Sequence, residues 1–135
     1  MNSLSSCNTS SKIVEQFTKL SVDGKWGTAV TTRLQEYHDT YNDGEVSHQY
    51  KEACNANLYS AQFDTTLIGS NLIRVIQKGL KSKGNYNGGI DGLCGKNTIK
   101  AMQKDLGTTQ DGIISSTSEM VKALQRALNN NKLPW

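Results

Sequence analysis

The chain has 135 residues and a mass of 14.8 kDa, which is the size of one domain and excludes a multidomain enzyme. Hydrophobic residues make up 36% and charged residues 20%, so the composition is polar but still that of a folding chain. The formal net charge of +3 is low for a protein whose affinity depends on phosphate contacts. No stretch approaches the roughly 18–20 apolar residues of a membrane-spanning helix, so no membrane partner is expected.

Charge is distributed unevenly along the chain. Residues 1–70 carry five Lys or Arg and eight Asp or Glu, whereas residues 71–135 carry ten Lys or Arg and four Asp or Glu. The second half therefore has the charge to attract an anionic polymer, although a solvated basic face explains the same excess. A basic helical nucleic-acid-binding domain is one alternative. Base readout depends on arginine, however, and that half has only Arg74 and Arg126.

The N-terminal residues are predicted to form a flexible linker. Eight of residues 1–11 are Ser, Asn or Thr, a composition typical of solvated coil. The start has neither the basic nor the apolar region of a secretory signal, so we expect no signal peptide. Cys7, Cys54 and Cys94 are widely spaced and odd in number, which favours free thiols over a disulfide framework.

Four Asp-Gly pairs form an internal repeat in the rest of the chain. The two pairs of each half are 20 positions apart, and the two halves are 68 positions apart. An Asp-Gly pair favours a tight turn, because Asp caps the backbone that follows it and Gly adopts positive φ without a steric cost. A further glycine, Gly27 or Gly95, is expected to keep the turn compact. The predicted turn residues are Asp23, Gly24, Gly27, Asp43, Gly44, Asp91, Gly92, Gly95, Asp111 and Gly112.

Apolar residues at helical spacing predict four helices around these turns. The four stripes are Val30, Leu34 and Tyr37; Leu72, Ile73, Ile76 and Leu80; Ile99, Met102 and Leu106; and Met120, Val121, Leu124 and Leu128. A further helix is predicted from Lys12 to about Leu20. Thr28 and Thr98 are expected to cap the helices that follow the first turn of each half. Strand signals are nearly absent, so the sequence predicts an all-α fold of short helices joined by Asp-Gly turns.

The repeat predicts one compact domain of two tandem pseudo-repeats over residues 12–135. Residues 72–80 match residues 120–128 at an offset of 48 instead of 68, so the first unit holds an insertion of about 20 residues. We place pseudo-repeat one at about 12–83, with the insertion at about 49–68, and pseudo-repeat two at about 84–135. The insertion contains Tyr50, Tyr59 and Phe63, which are expected to form either a homo-oligomer interface or a lid over the core.

Four short motifs carry a family resemblance. They are Ile76-Gln77-Lys78-Gly79-Leu80, then Asn85-Tyr86-Asn87-Gly88-Gly89-Ile90-Asp91-Gly92-Leu93-Cys94-Gly95-Lys96-Asn97-Thr98, then Ala101-Met102-Gln103, and then Asp111-Gly112. In this order, over residues 72–128, the chain resembles the peptidoglycan-binding-domain family of three-helix modules attached to wall hydrolases and phage endolysins. Residues 22–80 repeat the pattern more faintly.

The resemblance implies a non-catalytic cell-wall-binding module of a phage endolysin from a Gram-positive host. Its ligand would be peptidoglycan or an attached glycopolymer. It would be made in the host cytoplasm without a signal peptide and would hold an endolysin catalytic domain at the bacterial wall once lysis begins. No cofactor is implied. Avidity would come from two sites in one chain or from several chains, so a homo-oligomer is plausible.

Such a site needs aromatic faces for sugars, cations for carboxylates or wall phosphates, and amide donors for carbonyl groups. The candidate ligand-binding residues are Trp26, Arg74, Lys78, Lys81, Lys83, Asn85, Tyr86 and Asn87, and Trp135 is a further aromatic candidate. Each has a structural alternative. Trp26 between turn glycines also suits a core position, and the lysines also suit a solvated helix end.

A small wall hydrolase or amidase is the catalytic alternative. It would use Cys54 as the nucleophile and His48 as the base, since these are the nearest cysteine and histidine along the chain. A zinc site from His38, His48 and Cys54 or Asp39 matches none of the compact ligand spacings. The Asp-Gly loops lack the alternating oxygen ligands of a Ca²⁺ site. We therefore expect a binding module without a metal.

Overall fold

A computed structural model describes residues 19–135. The predicted linker at residues 1–11, nearly all of the helix predicted from Lys12 to about Leu20, and Cys7 lie outside the described residues. The described elements are α1 (Thr28–His38), β1 (Val46–Gln49), a 3₁₀ turn (Ala53–Asn55), β2 (Ala61–Phe63), α2 (Asn71–Ser82), α3 (Lys96–Leu106) and α4 (Glu119–Asn129).

The prediction of an all-α fold is wrong, because the described chain is mixed α/β. Strands β1 and β2 pair in parallel, with Val46 opposite Ala61 and Gln49 opposite Phe63, and the register is irregular between these pairs. The strands have only four and three residues, and only the two end residues of β1 are buried. Such short segments carry no alternating apolar pattern that a sequence analysis can detect.

The four helices of residues 19–135 pack in a closed ring. Helix α1 contacts α2, α2 contacts α3, α3 contacts α4, and α4 contacts α1. Their apolar stripes meet in one hydrophobic cluster, to which the inserted segment adds Leu58. Each helix lies where the apolar spacing of the sequence predicts one. Within the same residues, every helix is too short or too polar to cross a membrane.

Each helix also carries one buried glutamine that holds an Asp-Gly turn, an arrangement we call a glutamine clasp. The clasps are Gln35 with Asp43-Gly44, Gln77 with Asp91-Gly92, Gln103 with Asp111-Gly112, and Gln125 with Asp23-Gly24. In each clasp the glutamine Nε2 donates to the aspartate Oδ1 at 2.8–2.9 Å. The glycine N–H donates to the glutamine Oε1 at 2.8–3.0 Å. The four glycines have φ between +71° and +77°, which glycine adopts without strain.

The clasp of Gln125 joins the two ends of the described chain. Gln125 belongs to the last helix and binds the first Asp-Gly turn, at Asp23. Beside it, the Leu20 N–H donates to Asn129 Oδ1 at 2.7 Å, and Asn129 Nδ2 donates to the Leu20 carbonyl at 3.0 Å. This clasp joins α4, in the predicted pseudo-repeat two, to the turn at residue 23, in the predicted pseudo-repeat one; the boundaries 12–83 and 84–135 stay a prediction.

Helices α1 and α3 begin without a side-chain cap, so the predicted caps at Thr28 and Thr98 are wrong. The N-cap residues are Gly27 and Gly95, with extended backbone and φ of −105° and −98°. The Thr98 hydroxyl instead accepts a hydrogen bond from Gln77 Nε2 at 3.1 Å. The two glycines thus start helices and do not supply the left-handed backbone of a tight turn.

Helices α2 and α4 have serine N-caps that the sequence analysis missed. The hydroxyls of Ser70 and Ser118 accept from the N–H three residues further on, at 3.1 and 3.2 Å. The backbone N–H of Ser70 also donates to the Gly92 carbonyl, and that of Ser118 to the Gly24 carbonyl, both at 2.9 Å. Each capped helix is thereby fixed to the turn that its own glutamine holds.

Candidate functional site

Two grooves lie at equivalent positions of the two units. Residues of α1 line the first groove, of about 400 Å³, and residues of α3 line the second, of about 460 Å³. The α1 residues are Ala29, Thr32, Arg33 and Glu36, and the α3 residues, 68 positions later, are Asn97, Lys100, Ala101 and Lys104. The first groove also includes Lys19, the first described residue. We take the second groove as the candidate site, because the chain around all of its residues is described.

The second groove brings together three of the predicted ligand-binding residues, Asn85, Tyr86 and Asn87. They lie in the loop between α2 and α3. The opposite wall is the polar face of α3, which the sequence analysis did not select. The additional lining residues are Gly88, Asn97, Lys100, Ala101, Lys104 and Gln110. Lysines four positions apart on a helix share a face, and that spacing was the available signal.

Tyr86 supports the groove loop. The side chain is 6% exposed, and its hydroxyl donates to the Gly89 carbonyl at 2.6 Å. Gly88 packs against the same ring, since a Cβ at that position would lie 2.5 Å from the Tyr86 hydroxyl oxygen. Tyr86 therefore has too little exposed ring for a sugar to stack on.

Two further contacts hold the loop in place. Asn85 Nδ2 donates to the Asp105 carboxylate on α3. The Lys81 ammonium at the end of α2 donates to the Gly88 carbonyl at 3.0 Å. Asn85 and Lys81 thus position the groove loop, while the neighbouring polar groups remain available.

Five lining side chains make no hydrogen bond or ion pair with any other residue of 19–135. They are Asn87, Asn97, Lys100, Lys104 and Gln110. All five are exposed. No Asp or Glu lines the second groove. The groove therefore offers two ammonium groups and three amide groups to a ligand, without a carboxylate to compete for them.

Trp26 lies in the core and does not form a ligand platform. Its side chain is 0% exposed, and its indole N–H donates to the Thr31 hydroxyl at 2.9 Å. That hydroxyl in turn bonds to Ser60 Oγ at 2.5 Å. An indole enclosed in this way has no free face for a sugar ring.

The other predicted cations lie outside the lining of the second groove. Arg74 donates to Asn71 Oδ1 at 2.9 Å and to the Ile68 carbonyl, so its guanidinium holds the loop before α2. Lys78 and Lys83 are exposed on and just after α2. The structure therefore does not bring Arg74, Lys78 and Lys83 into one site with Asn85 and Asn87.

Trp135 packs back onto the domain. A Cβ at Gly79 would lie 2.8 Å from Trp135 Cδ1, which places the indole against α2. The indole N–H donates to His38 Nε2 at 3.3 Å. Burial lowers the pKa of His38 to about 4, so the ring is neutral near pH 7 and can accept this hydrogen bond.

The hydrolase alternative needs a thiol whose pKa is lowered by a nearby base, but the surroundings of Cys54 raise the pKa of its thiol. Burial and the nearby Glu52 raise the pKa of the Cys54 thiol, whose sulfur lies 3.9 Å from Glu52 Oε1. His48 Nδ1 pairs with Asp64 Oδ2 at 2.7 Å. Cys54 and Cys94 are both free thiols, and burial raises the pKa of Cys94 to about 12. An activated nucleophile requires a lowered pKa.

The histidines considered for a zinc site have other partners. His38 bonds to Trp135, and His48 bonds to Asp64. Within residues 19–135, no three His, Cys, Asp or Glu side chains are grouped closely enough to hold a metal ion.

The insertion presents aromatic side chains at its surface. Tyr50 is 48% and Tyr59 51% exposed, while Phe63 is partly buried beneath the Lys51 ammonium at 5.6 Å. The Tyr59 hydroxyl donates to Asn57 Oδ1 at 3.2 Å. A role of these residues in homo-oligomerisation remains a prediction.

Comparison with known proteins identified no relative: no family model, curated protein or solved structure matches this chain.

Proposed function

We propose that the chain is a non-catalytic module that binds a bacterial cell-wall polymer through the second groove. The observation that carries this proposal is a groove of about 460 Å³ that has no carboxylate in its lining and holds five polar side chains that pair with no other residue of 19–135. Wall polymers present carbonyl groups and anions at close intervals. The groove offers amide and ammonium donors to both kinds of group.

The resemblance of residues 72–128 to peptidoglycan-binding modules supports the same function. A shallow polar groove binds weakly, because each hydrogen bond exchanged with water contributes only about 0.5–1.5 kcal/mol. A weak module is still useful when it is joined to a hydrolase. It raises the effective concentration of the enzyme at an insoluble substrate.

The test is retention of a fluorescent fusion of the full chain on purified Gram-positive cell walls. We expect saturable retention without release of reducing sugars or free amines. Absence of retention would reject the proposed function, and release of either product would identify a hydrolase.

Replacing two groove amides tests the position of the site. Asn87→Ala with Gln110→Ala should weaken retention by roughly tenfold, the loss of two hydrogen bonds. The control is Asn42→Ala with Asn130→Ala. Asn42 precedes Asp43 as Gln110 precedes Asp111, and both control residues are exposed outside the second groove. Equal losses in the two double variants would place binding elsewhere.

A further inference from the structure

We infer that the wall component held in the second groove is a phosphodiester polymer, bound by Lys100 and Lys104. This inference rests on the proposed function and adds the chemical class of the ligand. Both lysines are exposed on α3 and make no ion pair with residues 19–135. Four positions apart on a helix, they lie about 6 Å from each other along its axis and share one face.

The carboxylates closest in sequence to these lysines form no ion pair with them. Asp105 accepts a hydrogen bond from Asn85 while its other oxygen, Oδ2, is buried, and Asp111 accepts a hydrogen bond from Gln103 at 2.8 Å. Neither lines the groove. The positive charge of Lys100 and Lys104 is therefore available to a ligand, and a polymer with one anion per repeat can place successive phosphates against both ammonium groups.

The groove is less suited to a neutral glycan strand or to a nucleic acid. Sugars and bases both gain affinity from stacking on aromatic faces, and the only aromatic side chain in the lining is Tyr86, which is 6% exposed. Base readout also needs available arginines. Arg33 is buried, Arg74 binds its own chain, and Arg126 lies on α4 outside the groove lining, so none of them is placed for this role in the groove.

The first groove provides an internal comparison. Thr32 and Glu36 stand there at the positions that correspond to Lys100 and Lys104. An acidic side chain in place of an ammonium group disfavours a polyanion. The first groove also has Lys19, Lys25 and Arg33 in its lining, but it combines these cations with the carboxylates of Asp23 and Glu36. We therefore assign the phosphodiester site to the second groove, which has no carboxylate in its lining.

This comparison also supplies the test variant. Lys100→Thr with Lys104→Glu places in the second groove the residues that the first groove carries, so the helix packing has a precedent in the same chain. The control is Lys122→Thr with Arg126→Glu. It has the same spacing and the same charge change, on α4 and outside the groove.

Binding of the full chain is measured on intact walls and on walls stripped of phosphodiester polymers by mild acid. We expect stripping to weaken binding by the wild-type chain at least tenfold. On intact walls, the affinity of the groove variant should be at least tenfold lower than that of the wild-type chain, and the affinity of the control variant should be less than twofold lower. Circular dichroism shows whether each variant is folded. If the groove variant is unfolded, the double variant Lys100→Gln with Lys104→Gln is used in its place.

The possible failures are distinguishable. Equal binding to intact and stripped walls overturns the phosphodiester assignment but leaves wall binding in place. No binding to either wall overturns the proposed function itself. Binding to a single-stranded oligonucleotide as tight as to intact walls, lost in the same groove variant, overturns the assignment in favour of a nucleic acid.

Discussion

At the scale of single residues, the buried glutamines explain why the Asp-Gly turns are so regular. A glutamine amide both donates and accepts, so one side chain can satisfy an aspartate and a glycine N–H together. A glutamate would place a second carboxylate against the aspartate, which is unfavourable. The Asp-Gly turns could be predicted from the pair itself. The partner of each turn could not be, because the glutamine lies on another element.

The two glycines of the motif Asp91-Gly92-Leu93-Cys94-Gly95 should differ in how much stability is lost when each is replaced by alanine. A Cβ at Gly92 would lie 2.7 Å from the Ser70 backbone nitrogen, and its φ is +77°. Gly92→Ala should therefore lower the free energy of unfolding by about 2–4 kcal/mol. Gly95 has extended backbone and only an ordinary contact with Glu52 at 3.6 Å, so Gly95→Ala should cost less than about 1 kcal/mol. Urea unfolding measures the free energy of unfolding of both variants, and an equal loss in the two would contradict the different roles given to Gly92 and Gly95.

Two of the clasp aspartates, Asp23 and Asp111, should make stability depend on acid pH. The hydrogen bond from Gln125 lowers the pKa of Asp23, and the one from Gln103 lowers the pKa of Asp111. A pKa that is lower in the folded chain means that the stabilisation is complete above about pH 5 and is lost as the pH falls through the folded-state value. The melting temperature should thus decrease between pH 5 and pH 2.5.

Asp23→Asn with Asp111→Asn should reduce this dependence, because an amide keeps the acceptor oxygen but does not titrate. Asp64, whose pKa is lowered by His48, retains its own contribution in the variant. An unchanged slope of melting temperature against pH in the double variant would refute the assignment to the clasps.

At the scale of elements, the helices were predictable and the strands were not. Apolar residues at 3.6-residue spacing identify a helix from the sequence alone, as at Leu72, Ile76 and Leu80. The strands β1 and β2 pair with each other across the insertion, and their few residues carry no comparable period. The caps of α1 and α3 were also predicted wrongly. Threonine is a residue type that caps helices, but the backbone places the N-caps at Gly27 and Gly95, before Thr28 and Thr98.

The caps can be tested by two single substitutions. Ser118→Ala removes the acceptor for an N–H of the first turn of α4 and should lower the free energy of unfolding by about 1 kcal/mol. Thr28→Ala should change it by less than about 0.5 kcal/mol, because Thr28 is exposed and makes no cap bond. Chemical denaturation compares the two variants. A larger loss for Thr28→Ala would restore the cap that the sequence suggested.

At the scale of the whole molecule, the closure of the ring was the least predictable feature. The partner of Asp23 is Gln125, 102 residues later. The sequence contained a signal, because its predicted helices carry four pairs of a large apolar residue followed by Gln, one for each of the four Asp-Gly turns. Three of these glutamines have an Asp-Gly turn shortly after them in the sequence. Gln125 and the turn at Asp23 are the two that remain, so they could have been paired by elimination. The candidate groove was predictable in part. Its loop residues Asn85 and Asn87 were chosen because they precede the predicted turn at Asp91-Gly92, whereas Lys100 became a candidate only when the packing of α3 showed which of its faces is exposed.

Ring closure should make the described chain unfold as one unit. Gln125→Ala leaves the Gly24 N–H without its partner at 3.0 Å and opens the contact between the two ends. We expect a loss of about 2–3 kcal/mol with coincident transitions by circular dichroism and tryptophan fluorescence. Two separate transitions in the wild-type chain would show that the units fold independently.

The most direct test of the account is a nuclear magnetic resonance titration of the full chain with soluble wall fragments that carry the phosphodiester polymer. We predict that the backbone amide signals that shift first belong to the groove residues Asn87, Asn97, Lys100, Lys104 and Gln110. Shifts confined to the exposed face of the insertion at Tyr50 and Tyr59, or no shifts at saturating fragment, would contradict it.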